Sequence, residues 1–279
     1  MLLRRRRPRQ AEWGRGKLVV LLAGSVAVCL ILLVGLGLAV FYTLQPTDPD
    51  TTTTATGRAP AASAVTSAVT SAEPDAQSKR DLLAVRPMPT ISLEESRPGP
   101  LSAQNPGVIV IPKSTRLGQA NVPTGFGHTP QGALAQLAAI DQAALQSGSL
   151  PGVRAVIAGW AAAGGPTTQT WSGVKAMAEF LDAAGLSSGG SPSLAIVATP
   201  MMGLIKGTVG PDFVVACVDF EVDATLTQTQ RVAAADCQRM KWDSGRWIIG
   251  PGPEPAPAPS TWPGTDAAIQ VGYKDLRYG

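Results

Sequence analysis

The chain has 279 residues, 44% of them hydrophobic and 15% charged, with 30 Gly and 24 Pro. Its formal charge of +3 is unevenly placed: residues 1–17 carry Arg4, Arg5, Arg6, Arg7, Arg9, Arg15 and Lys17 against Glu12, so the remainder is acidic. This excludes a broadly basic surface on the folded part, and no direct nucleic-acid binding is expected there.

From Leu18 to Phe41 the sequence LVVLLAGSVAVCLILLVGLGLAVF has no charge. At about 1.5 Å per residue, such a helix spans roughly 36 Å, enough to cross a hydrocarbon layer of about 30 Å with some tilt. A cleaved signal peptide would have a shorter apolar region and a small-residue cleavage site, whereas Phe41-Tyr42-Thr43-Leu44 follows here. The expectation is an uncleaved anchor at 18–41. The basic tail at 1–17 orients it with the N-terminus in the cytoplasm. The arginine block could also grip anionic lipid, though topology alone accounts for it. Cys29 lies inside the span as a small apolar residue.

Residues 42–106 read as a linker rich in Thr, Ser, Pro and Ala. The part QPTDPDTTTTATGRAPAASAVTSAVTSAEPDAQ carries too little apolar surface to offset ordering entropy.

The extracytoplasmic domain is expected at 107–279, beginning with the apolar run Val108 to Ile111. Thr129 suits an N-cap and Pro130 the first helical position, predicting a helix from Gln131 to Gln146. A second helix fits Val153, Val156, Ile157, Trp160 and Ala161, closed by Gly164-Gly165-Pro166. A third fits Val174, Met177, Ala178, Leu181 and Ala184. The pattern then changes to period two, with strands at Ser193 to Met202, Phe213 to Leu226, Gln230 to Trp242 and Arg246 to Ile249. Asp243-Ser244-Gly245-Arg246 supplies a tight turn that places Trp242 beside Trp247. Beyond a Pro-rich stretch, a short helix is expected from Asp266 to Leu276. Helices followed by strands give an α+β class, with the helices packed on the concave face of a twisted antiparallel sheet.

A hairpin centred on Thr227 sets Cys217 opposite Cys237, Asp223 opposite Arg231, Val222 opposite Val232 and Phe220 opposite Ala234. One register meets all four conditions. In an oxidising compartment, Cys217 and Cys237 should form a structural disulfide; in the cytoplasm they would remain thiols.

No catalytic, cofactor-binding or metal-binding residues are assigned. A single His and three Cys do not make an ordinary zinc site, and HExxH, G-x-S-x-G and P-loop motifs are missing from the sequence. Ser172-Gly173-Val174-Lys175 matches the S-x-x-K of penicillin-binding proteins, but the sequence has no K-T-G or S-D-N partner for it. Ser172 reads better as an N-cap and Lys175 as solvent-facing. Asp219, Glu221 and Asp223 alternate along one strand, as on a solvated sheet face.

VPTGFGHTPQGALAQLAAI (122–140), the strand pair FVVACVDFEVDATL and RVAAADCQRMKWDSGRWIIGPG (213–252), and PAPSTWPGTDAAIQVGYKDLR (257–277) together resemble actinobacterial membrane-anchored proteins of integrative and conjugative elements. In helix-then-sheet order the domain is similar to the nuclear-transport-factor-2-like fold. That fold serves as an assembly component in type IV secretion and conjugation. The resemblance implies a non-enzymatic scaffold working against the lipid bilayer and other subunits of a transfer or secretion complex, with homo-oligomerisation among its expected modes. It implies no cofactor. An extracytoplasmic cell-wall-associated enzyme or small-ligand-binding domain is the alternative, since the fold alone does not fix function.

Overall fold

The structure, a computed structural model, describes residues 75–279. The tail at 1–17, the membrane span at 18–41 and the first part of the linker lie outside the described residues. Among the described residues, no helix is long and apolar enough to cross a membrane.

The first described element corrects the linker boundary. Helix α1 (Ala76–Val85) is capped by the Asp75 side chain, which accepts from the Ser78 N–H at 2.7 Å. Its apolar residues are gathered in the run Leu82 to Val85 and form no helical stripe, so the sequence does not announce a folded helix whose partners lie far along the chain. Lys206 Nζ donates to Ala84 O at 3.0 Å and to Arg86 O. The Arg86 guanidinium in turn donates to Lys206 O. Arg239 Nη1 donates to Asp81 Oδ1 at 2.6 Å. Leu83 needs the missing side chain at Gly207, where a Cβ would come within 2.7 Å of Leu83 Cδ1. A short 3₁₀ turn, Leu93–Ser96, follows.

Strand β1 (Val108–Ile111) and the small pair β2 (Arg116–Leu117) and β3 (Pro123–Thr124) precede the helical layer. Helix α2 (Pro130–Gln146) begins as expected, with Thr129 Oγ1 accepting from Gly132 N at 3.0 Å. Gly132 allows the entry: a Cβ there would lie 2.0 Å from Gly127 O. The helix is buried along most of its length, so it runs through the core. Helix α3 (Leu150–Trp160) is capped by Ser149 and ends ahead of the Gly164-Gly165-Pro166 stop. Helix α4 (Ser172–Ala183) buries Val174, Met177 and Leu181.

Strands β4 (Ala195–Thr208), β5 (Phe213–Thr225), β6 (Thr229–Asp243) and β7 (Arg246–Ile249) form an antiparallel meander. The β5–β6 register places Cys217 opposite Cys237, Asp223 opposite Arg231, Val222 opposite Val232 and Phe220 opposite Ala234, as the sequence predicts. Trp242 faces Trp247 across the β6–β7 turn.

The C-terminal segment departs from expectation. Helix α5 (Asp266–Val271) stops at Gly272, whose φ of 96° is the left-handed conformation that ends helices. Tyr273 then turns under the sheet, its hydroxyl donating to Pro259 O at 3.0 Å. Strand β8 (Lys274–Tyr278) inserts between β1 and β4, giving the order β1-β8-β4-β5-β6-β7. It runs parallel to β1 and antiparallel to β4, so the sheet is mixed. The α+β class holds, with a curled sheet of both orientations.

Helices α2, α3 and α4 pack on one face of the sheet, against Val214, Ala216, Val218, Phe220 and Met240. The other face is covered as well. Met202, Cys217 and Cys237 pack with Ala268, Val271 and Tyr273, while Phe213 and Val215 pack with Ala84. The Pro-rich stretch also lies across this face as a strap, with Ala235 N donating to Ser260 Oγ and Thr261 Oγ1 to Asp219 Oδ2.

Candidate functional site

The S-x-x-K string does not assemble. Ser172 is the first residue of α4, and its backbone N–H donates to Glu254 Oε1 at 2.9 Å. Trp171, with no side-chain capping bond, takes the N-cap position expected of Ser172. Lys175 is solvent-exposed, with its ammonium 3.8 Å from Glu179.

His128 joins an aromatic group. Its ring stacks on Trp242 at 4.3 Å and stands 5.6 Å from Trp247, and Nε2 lies 2.8 Å from Asp212 Oδ1. Trp247 Nε1 donates to Gly127 O, fixing the loop that carries His128.

The reading of Asp219, Glu221 and Asp223 as a solvated face needs correction at Asp219. The strap covers it completely, and Thr261 Oγ1 donates to Asp219 Oδ2 at 3.1 Å. Burial pushes this carboxyl up to about 8, against the smaller opposing effect of the Thr261 hydrogen bond. Glu221 and Asp223 instead share Arg231, whose guanidinium lies 5.0 Å from the Trp262 ring centre. On the same face, the sulfur atoms of Cys217 and Cys237 are 1.96 Å apart, a disulfide.

The concave face holds a feature that the motif search misses. A cavity of about 140 Å³ opens between α2, α4 and the inner side of β5 and β6. Asp141 from α2 and Asp236 from β6 line it, with Trp171, Met177 and Phe220 as apolar walls. Neither oxygen of Asp141 has a hydrogen-bond partner, and Trp171 Nε1 is likewise buried and unpartnered. Burial raises the Asp141 carboxyl well above the usual range, and the charges of Asp236 and Glu254 add to this. Asp236 accepts from Gln238 Nε2 at 2.9 Å, yet burial, reinforced by Glu254, pushes it up to about 7.

Both acids were within reach of the sequence. Asp141 follows Leu134, Leu137 and Ala138 at helical spacings of seven, four and three, which puts it on the apolar face. The register that sets Ala234 inward opposite Phe220 also turns Asp236 inward, opposite Val218. Among the described residues, no group of three or more His, Cys, Asp or Glu side chains could hold a metal.

Neither a protein-family model, nor a curated protein, nor a solved structure matches the chain.

Proposed function

We propose that the chain is a membrane-anchored, non-enzymatic assembly component of a DNA-transfer or secretion apparatus, its outer domain similar to the nuclear-transport-factor-2-like subunits of such machines. The observation carrying this reading is the open edge of β4. Pairing with β8 is confined to Met202 and Gly203, so residues 195–199 present one edge without a strand partner; it ends at Pro200 and the irregularity at Met201, and Gln142 Nε2 donates to Ala198 O at 2.7 Å. Val197 is 55% exposed along it, and Met201 is 38% exposed at its end. Such an edge accepts an added strand from another subunit, with backbone hydrogen bonds giving affinity and alternate side chains giving specificity. The disulfide supports an oxidising, extracytoplasmic location.

The test is the double substitution Val197→Lys and Met201→Lys in the full chain, both at exposed positions. Thermal stability should hold while cross-linking to partner subunits and transfer are lost. Wild-type transfer by this variant would overturn the proposal.

A further inference from the structure

Asp141 is 5% exposed, faces the inner cavity and has neither oxygen satisfied. Ionised and unmatched, such a carboxyl is costly, so burial holds its proton, and its natural complement is a cation whose hydrogen-bond donors let it ionise. Among the described residues, none supplies a cation to this cavity. Asp141 and Asp236 are, among the described residues, the only ionisable side chains in its lining; α3, the N-cap of α4 and β5 contribute the uncharged Val153, Trp171 and Phe220. Glu254, from the segment after β7, adds further negative potential. Arg239 is committed to the opposite side, bonding Asp81 and Pro253 O. Lys175 remains in solvent beside Glu179.

The walls suit the same kind of guest. Aromatic faces attract cations, and Trp171 and Phe220 are both nearly fully buried at the cavity. A cavity of about 150 Å³ holds a benzene-sized molecule, close to the 140 Å³ found here. We propose that this cavity binds the ammonium group of a small organic amine, with N–H donors on Asp141 and Asp236 and the apolar body against Trp171, Phe220 and Met177. A primary amine fits better than a quaternary one, because unsatisfied carboxylate oxygens require donors. This role is independent of subunit docking at the β4 edge.

Titrating benzylammonium chloride into the full chain in lipid nanodiscs, by calorimetry, tests the proposal, with benzyl alcohol as the uncharged comparison. A probe of this size should bind with Kd of roughly 0.1–1 mM at pH 8, and benzyl alcohol at least about tenfold more weakly. Affinity should fall about tenfold between pH 8 and pH 6 as Asp236, held at about 7, takes up a proton. Asp141→Asn should weaken the amine at least about tenfold. If that variant fails to fold, Ala176→Phe decides instead, since Ala176 is exposed at the cavity mouth and a ring there should block entry. Equal binding of benzyl alcohol, unchanged amine binding in both variants, or a cavity that takes up only water would each overturn the proposal.

Discussion

Replacing Asp219 with Asn should favour the folded protein increasingly as pH rises. The carboxyl is fully buried and held at about 8, against an ordinary value of 3.8 in the unfolded chain. The folded state therefore keeps a proton that the unfolded state gives up. The group costs nothing below about pH 4, and stability is lost as pH rises from there towards 8. At about 1.36 kcal/mol per unit, the loss at pH 7 is about 4 kcal/mol. Asn removes this ionisation. Its amide oxygen can accept from Thr261 as Oδ2 does now, and its NH2 takes the place of Oδ1, which has no partner, so one more buried N–H is left without an acceptor than in the protonated acid. In urea unfolding, the stability of Asp219→Asn relative to wild type should then rise by about 4 kcal/mol between pH 4 and pH 7, from a value at pH 4 lowered by the added buried N–H. A difference that stays constant with pH, or one that falls as pH rises, would refute the reasoning.

Two further outcomes test the outer face. Replacing Cys217 and Cys237 together with Ala reopens a loop of 20 residues and should cost about 3 kcal/mol by denaturant titration; wild type should show no free thiol by mass spectrometry without reductant. Lys206→Met keeps the aliphatic stem but deprives the carbonyls of Ala84 and Arg86 of their donor, which should cost about 1–3 kcal/mol and make residues 76–86 more readily cut in limited proteolysis than in wild type.

The sequence made the β5–β6 hairpin legible because several independent pairings agreed on one register, and a shift by one residue would have turned every side chain over. The start of α2 was equally plain, since Thr129 and Pro130 act within the first turn. What stayed hidden depends on contacts distant in the chain. Ala76–Val85 has no strong apolar stripe, and its order comes from Lys206 and Arg239, more than a hundred residues downstream. The Pro-rich strap reads as an irregular tail until Thr261 and Tyr273 are seen covering the sheet. That covering is also why a period-two strand did not mean a solvated face at Asp219. Tyr273 and Leu276 fit a helical spacing, but Gly272 stops the helix first. The candidate cavity was missed for a different reason: its two acids belong to no motif. They are visible only as charges on faces otherwise given to the core.

The insertion of β8 between β1 and β4 has a kinetic consequence. Val108 pairs with Asp275, and β1 reaches the rest of the sheet only through β8. The hairpins β4–β5 and β5–β6 can form from neighbouring segments, but β1 must wait for a strand made almost at the other extreme of the domain. Contacts of such long sequence separation incur their loop-closure cost before any pairing offsets it, so they form late. Until then Ile111, fully buried in the finished fold, has no sheet to enter. As the chain emerges during synthesis, the meander has time to set its register while the β1 side stays open, and β8 closes the sheet last.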